Sequence, residues 1–92
     1  MTYSIKKVDK NQPEIVGALK KAGMSVLHLH TLGNGAPDIL VGYHGKNFLF
    51  EIKSHGGKLT KDEQVFYFEW QGQTAMIFNA EQAIRYVESH CD

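Results

Sequence analysis

Two short alternating segments joined by a turn place the strongest constraint on how this chain can fold. The segments are residues 38–43 and 48–53, with residues 44–47 between them. Side chains on a strand alternate between its two faces, so a two- or four-residue loop centred between Gly45 and Lys46 gives an antiparallel hairpin with one wholly apolar or aromatic face. We expect this face to lie in the core; its residues are Ile39, Val41, Tyr43, Phe48, Phe50 and Ile52.

The opposite face of this hairpin carries charge. In the same register Asp38 lies opposite Lys53. Leu40 lies opposite Glu51, which places Asp38 and Glu51 on a diagonal at about 7–8 Å. Two carboxylates at about 5 Å repel by roughly 3 kcal/mol at an effective dielectric of 20, so the cluster predicts a bound cation, and carboxylate oxygens suit Mg²⁺. Glu14, on the first predicted helix, is a third carboxylate that could approach this site.

A divalent cation beside a lysine indicates a particular chemistry. The cation orients and acidifies a water molecule, while cation and ammonium together neutralise the charge that grows on a phosphate under attack. These are the requirements of phosphodiester hydrolysis. The spacing of Asp38, Glu51 and Lys53 therefore favours a hydrolase that acts on phosphodiesters.

The rest of the chain predicts a single α/β domain with the element order αβββαβα. Asn11 and Asn79 are expected to cap the first and last helices, and Thr60 with Glu63 forms a capping box for the middle one. In order, the predicted elements are a helix from Asn11 to Gly23, strands at 24–30, 38–43 and 48–53, a helix from Thr60 to Gln71, a strand at 74–78 and a helix from Asn79.

Composition excludes several classes of protein. Ten Lys and Arg balance ten Asp and Glu, so the chain does not coat nucleic acid by bulk charge. Its single cysteine, Cys91, excludes an intrachain disulfide and a cysteine-based zinc site. With no apolar run near the roughly 18 residues of a membrane span, and no signal-peptide pattern, we expect an intracellular protein without a membrane partner.

The charged hairpin resembles a nuclease signature. Pro37-Asp38, then twelve residues, then Glu51-Ile52-Lys53 is similar to the motif of the PD-(D/E)xK superfamily. Segments 8–12, 33–42 and 59–64 further resemble the virus-type replication-repair nuclease (VRR-NUC) domain. The resemblance covers nearly the whole chain. It implies a restriction-endonuclease-like core of order αβββαβ, with an extra C-terminal helix and a mixed central sheet flanked by helices.

The same resemblance implies roles for individual residues. Asp38 and Glu51 would be metal ligands for Mg²⁺ or Mn²⁺, and Glu14 would complete the metal site. Lys53 would be the catalytic lysine, and Gln64 a supporting polar residue from the second helix. Water would be the nucleophile, and no small-molecule cofactor is implied.

Standalone members of this family, from phages and bacteria, are similar to archaeal Holliday junction resolvases. The resemblance implies a homodimer that nicks branched DNA in the cytoplasm of a bacterium or a phage-infected host. Candidate DNA contacts are Lys6, Lys7 and Lys10 near the N-terminus, and His55 and Lys58 in the loop after the second hairpin strand. The alternatives are a nuclease of the same fold that acts on flaps, ends or linear duplex, and a non-catalytic DNA-binding module.

Two further features lie outside this site. His28 and His30 share one strand face and have the spacing of a metal chelate, but an exposed edge strand also accounts for them. The segment 66–70 carries three aromatic side chains in succession followed by Trp70, which could stack on bases or form a dimer face. Core packing is the commoner use of such a segment, and we expect it here.

Overall fold

Three helices and four strands follow one another in the predicted order. The structure is a computed structural model that describes residues 9–91. The helices are α1 (Gln12–Lys21), α2 (Lys61–Glu69) and α3 (Ala80–Ser89), and the strands are β1 (Ser25–His28), β2 (Ile39–Tyr43), β3 (Lys46–Ile52) and β4 (Thr74–Ile77). The mixed α/β class is thereby confirmed. Within the described range, no helix combines the length and the apolar character that a bilayer crossing needs.

The four strands form one mixed sheet in the order β1-β2-β3-β4. The first two pairings are antiparallel and the pairing of β3 with β4 is parallel. Helices α1 and α3 contact each other, and they contact β1 and β4 respectively. The predicted apolar face of the hairpin is confirmed as core: five of its six residues are buried, and Tyr43 packs partly buried at its margin.

The register of the hairpin differs from the prediction by two residues. The turn is the dipeptide His44-Gly45, with φ angles of 51° and 79°, so Ile39 pairs with Phe50. Positive φ at both central residues gives the twist that joins antiparallel strands most tightly, and glycine accepts this conformation without strain. Because the shift is even, every side chain keeps its predicted face.

The shorter turn changes which charged residues are neighbours. The pairing of the two strands ends at Ile39 and Phe50, and the Asp38 amide donates to the Phe50 carbonyl, so the predicted opposition of Asp38 and Lys53 is wrong. Asp38 is bonded to Phe50 and Ile52, the two residues that flank Glu51 on β3. The pairing predicted for Leu40 is corrected in the same way, since its partner is Leu49.

The helix ends confirm two of the three predicted caps. Thr60 and Glu63 form the complete capping box, and the Asn79 side chain accepts from the Gln82 amide. Asn11 does not cap α1. Its amide instead donates to the carbonyl oxygens of Lys53 at 3.1 Å and Phe78 at 2.9 Å, which ties the start of α1 to the ends of β3 and β4.

The aromatic segment of α2 does not enter the core, contrary to the expectation. Phe68 is 89% exposed, and Tyr67 and Trp70 are also exposed. Phe66 is half-buried and stacks on Trp70, with ring centroids 5.1 Å apart. Consecutive helical residues differ by about 100° in direction, so this segment cannot present all its rings to one side.

Candidate active site

The charged face of the hairpin assembles where β2 begins and β3 ends. Asp38 and Glu51 are only 2% and 4% exposed. The backbone amide of Asp38 donates to the Phe50 carbonyl at 2.9 Å, and the amide of Ile52 donates to Asp38 Oδ2 at 2.7 Å. Asp38 is therefore fixed through both its main chain and its carboxylate.

Lys53 lies among carboxylates. Its Nζ atom is 3.5 Å from Glu51 Oε2 and 2.8 Å from Glu63 Oε1. The Lys53 backbone amide also donates to the Ile77 carbonyl at 3.0 Å, so β4 fixes the main chain that carries this side chain. All these groups are largely removed from water, which strengthens their electrostatic interactions relative to surface ion pairs.

Glu63 is a member of this cluster that the sequence reasoning missed. It is 5% exposed, and its Oε1 atom also accepts from the Thr60 amide at 2.8 Å. The capping box explains Glu63 by a contact within α2, so the sequence pattern does not call for its second contact, with Lys53. The sequence holds one signal for this contact, which is the short connection between β3 and α2. Because only residues 53–60 separate them, the N-terminus of α2 stays near Lys53.

Two of the predicted site residues do not join the cluster. Glu14 is exposed on the first turn of α1, and residues 9–91 contain no group of three or more His, Cys, Asp and Glu side chains arranged to hold a metal ion. Gln64 is exposed and donates from Nε2 to the Leu59 carbonyl at 3.1 Å. Glu63 thus occupies the position on α2 where Gln64 was expected.

The predicted DNA contacts that fall within the described residues lie on the surface. Lys10 is exposed just before α1, and His55 and Lys58 are exposed in the segment between β3 and α2. Lys6 and Lys7 lie outside the described residues. The segment 54–57 is a tight turn closed by a hydrogen bond from the Gly57 amide to the Ser54 carbonyl at 2.8 Å.

A second loop touches α2 at its first turn. Gly35 lies in the segment between β1 and β2 with φ of 82°, and a Cβ atom built on it would be 2.5 Å from the Asp62 carbonyl oxygen. Only a glycine can hold this backbone so close to the helix. Helix α2 makes few contacts with the other described helices and strands, so this approach and the Glu63–Lys53 ion pair are main determinants of its position.

The arrangement is chemically suited to a hard cation. The carboxylates of Asp38, Glu51 and Glu63 are buried, and those of Glu51 and Glu63 contact the ammonium of Lys53. Carboxylate oxygens are the ligands that Mg²⁺ and Mn²⁺ prefer. Asp38, which is bonded to the residues on either side of Glu51, and Glu51 itself are the pair that could hold such an ion. Lys53 lies beside Glu51.

Comparison of the chain with models of protein families, with curated proteins and with solved structures finds no match.

Proposed function

We propose that this protein is a metal-dependent DNA endonuclease of the VRR-NUC type, with the PD-(D/E)xK core, which hydrolyses phosphodiester bonds. The observation that carries the proposal is the burial of Asp38 and Glu51 on adjoining strands with the Lys53 ammonium 3.5 Å from Glu51. A merely structural surface face has no need to remove two carboxylates and an ammonium from water, because desolvation of charge is costly.

The donor set fits the divalent cation that the resemblance implies. Asp38 and Glu51 would hold Mg²⁺ or Mn²⁺, which when bound supplies Lewis acidity and an acidified water. Asp38 presents its carboxylate in an orientation set by the Ile52 amide. Lys53 directs its ammonium to the same place and stabilises negative charge that develops on the scissile phosphate. Glu63 keeps that ammonium oriented, because its Oε1 atom lies closer to Lys53 Nζ than Oε2 of Glu51 does.

The proposed target is a branched DNA such as a four-way junction, and the proposed active form is a homodimer. A neutral chain of 92 residues offers few phosphate contacts by itself. Two copies related by a two-fold axis would bring two sets of exposed basic residues, Lys10 and Lys58 among them, to one junction. Paired sites would also nick two opposed strands.

The test compares cleavage of a labelled four-way junction with cleavage of its linear duplex arms at equal ionic strength, with Mg²⁺, with Mn²⁺ and with chelator. We expect paired, metal-dependent nicks confined to the junction. Equal cutting of linear DNA would support the nuclease activity and contradict the assignment as a junction resolvase. DNA binding without cutting in either metal would contradict the nuclease and favour the non-catalytic binding module.

Variants make the test specific to the cluster. Lys53→Ala should bind the junction but lose about 100-fold or more in single-turnover rate, because one charge-stabilising group is removed. Lys58→Ala is the matched control, since it removes an exposed lysine from the neighbouring loop. It should weaken binding and leave the single-turnover rate at saturating protein unchanged. Near wild-type cleavage by Lys53→Ala would remove this lysine from the mechanism.

A further inference from the structure

Outside the cluster of Asp38, Glu51, Lys53 and Glu63, a second group of polar side chains meets in a groove between α1 and the edge strand β1. The groove is lined by Gln12, Val16 and Lys20 of α1 and by His28 and His30. His28 pairs with Ile39, whose side chain lies in the core, so the His28 side chain is on the face of the sheet that α1 covers. Helix and strand thus bring an amide and two imidazoles together.

Two atoms of this group are buried without a hydrogen-bond partner among the described residues. They are Oε1 of Gln12, in a side chain that is 2% exposed, and Nδ1 of His30. A buried polar atom without a partner costs roughly 1–3 kcal/mol of folding free energy. An unpaired amide oxygen and an unpaired imidazole nitrogen beside one groove are therefore a costly arrangement for which a bound ligand would compensate.

The distances fit a metal ion. The Gln12 amide group approaches Nδ1 of His28 at 3.4 Å, which is long for a hydrogen bond. Two ligand atoms bound tetrahedrally at about 2.0–2.1 Å from one ion lie about 3.4 Å apart. A half-turn of the amide places its oxygen, in place of its nitrogen, at this distance from His28 Nδ1. The rotation gives up this weak contact and moves Nε2 into the buried position that Oε1 now holds.

The two imidazoles also lie at a suitable separation. Their ring centroids are 6.0 Å apart with planes at 75°. Two imidazoles bound tetrahedrally to one ion through bonds of about 2.1 Å have centroids about 5 Å apart, so the two rings would approach each other by about 1 Å on binding. Neutral nitrogen ligands and an amide oxygen suit a borderline transition metal and not Mg²⁺, which prefers carboxylates and water.

We propose that Nδ1 of His28, Nδ1 of His30 and Oε1 of Gln12 form a binding site for a borderline divalent transition metal such as Zn²⁺, with water as the fourth ligand. The proposal does not depend on the nuclease activity. Lys20 is the cation that lines the groove, and its exposed side chain leaves the ammonium in water, where solvent and salt screen it.

The test is a calorimetric titration of the full chain with Zn²⁺ alone, after treatment with chelator, at a pH of about 7.5 where free imidazole is mostly neutral. We expect one ion at this site, counted in the Glu51→Gln variant because the acidic pair of the unmodified chain would bind a second Zn²⁺. His30→Ala should weaken binding by about tenfold or more, because a ligand is removed. His55→Ala is the matched control, as an exposed histidine in another loop, and it should leave the affinity unchanged. Equal loss in both variants would overturn the proposal.

Further variants separate this site from other zinc ligands. Cys91→Ser should bind Zn²⁺ as the unmodified chain does, and Glu51→Gln should still bind one ion. Loss of that ion with either variant would assign it to the C-terminus or to the acidic cluster and overturn the proposal. Gln12→Glu should tighten binding and enlarge the zinc-induced rise in Tm, because a carboxylate replaces the amide oxygen. Lys20→Gln should bind Zn²⁺ at least as tightly as the unmodified chain, because a neighbouring positive charge is removed. Weaker binding of Zn²⁺ by this variant would indicate that the groove is an anion site.

A spectroscopic measurement tests the ligand atoms directly. The ¹⁵N signals of the imidazoles should shift on addition of Zn²⁺ for Nδ1 of His28 and His30, and not for His44 or His55. Absence of these shifts at saturating Zn²⁺ would contradict the assignment even if the protein binds the ion elsewhere.

Discussion

The ammonium of Lys53 lies 2.8 Å from Oε1 of Glu63, closer than the 3.5 Å that separates it from Oε2 of Glu51. The lysine of the hairpin is thus held chiefly by a residue from another element, α2. The same oxygen of Glu63 accepts from the Thr60 amide. One side chain therefore both caps a helix and orients the lysine of the candidate active site.

The two roles of Glu63 can be separated by substitution. Glu63→Gln retains a capping-box side chain but removes the charge beside Lys53, and we expect it to lower the free energy of unfolding by about 1–3 kcal/mol and to reduce the cleavage rate. Thr60→Ala removes the cap at a cost of about 1 kcal/mol and leaves the ion pair in place. Urea denaturation and single-turnover kinetics on both variants check this. Equal cleavage rates for the two variants would show that the ion pair does not orient the lysine.

The predicted metal ligands can be tested without DNA. Asp38→Asn and Glu51→Gln should each abolish measurable binding of Mg²⁺ or Mn²⁺ in a calorimetric titration while the domain stays folded. Asp38→Asn keeps an oxygen that can accept from the Ile52 amide, so the backbone contact survives. Glu81→Gln is the matched control, because Glu81 is an exposed acid on α3 that pairs only with Arg85 four residues later. An unchanged affinity in the first two variants would count decisively against the site.

Asn11 should matter more for stability than its position before a helix indicates. Its amide donates to two carbonyl oxygens at the ends of β3 and β4. Asn11→Ala should cost about 1–3 kcal/mol, because both acceptors lose a partly buried partner. Asn11→Asp should cost more, since a carboxylate would face two carbonyls, although aspartate is as good a helix cap as asparagine. The urea denaturation midpoints of the two variants test this prediction. A smaller loss of stability in Asn11→Asp than in Asn11→Ala would show that the side chain of residue 11 acts as a helix cap.

Stability should fall at high pH partly through one tyrosine. Burial raises the pKa of the Tyr86 hydroxyl above its ordinary value of 10.0, and the neighbouring Tyr67 raises it further. Because the folded-state pKa exceeds the unfolded one, this contribution is fully present below about pH 10 and is lost as the pH rises through the folded value. Tyr86→Phe should therefore show a smaller drop in Tm between about pH 9 and pH 11 than the unmodified chain. Tyr43→Phe provides the comparison, and an equal reduction in both variants would contradict the assignment.

The sequence predicted which side chains share a face far better than which ones are neighbours. Alternation along the hairpin determines the faces, and any even change of register preserves them. The register itself depends on where the turn lies. The sequence predicts a turn centred between Gly45 and Lys46, whereas the structure has it at His44-Gly45, which pairs Ile39 with Phe50.

The candidate site was predictable where it lies on the sheet and not where it depends on helices. Spacing along two strands was enough to associate Asp38, Glu51 and Lys53. The contribution of α2 depends on how a loop returns the helix to the sheet, which local patterns do not encode. Local pattern therefore explains Glu63 by its cap alone. The supporting role of Gln64 comes only from the family resemblance, and in the structure this side chain is exposed and donates to the Leu59 carbonyl.

The close approach of Gly35 to the first turn of α2 has a mechanical consequence. A methyl group at residue 35 would clash with the Asp62 carbonyl, because a Cβ atom at this position would lie only 2.5 Å from the carbonyl oxygen. The easiest relief is a rigid-body displacement of α2, which has few other contacts to resist it. Glu63 would travel with the helix and loosen its hold on Lys53. Residue 35, in the loop that leads into Asp38, thus acts as a spacer that sets the alignment of Lys53.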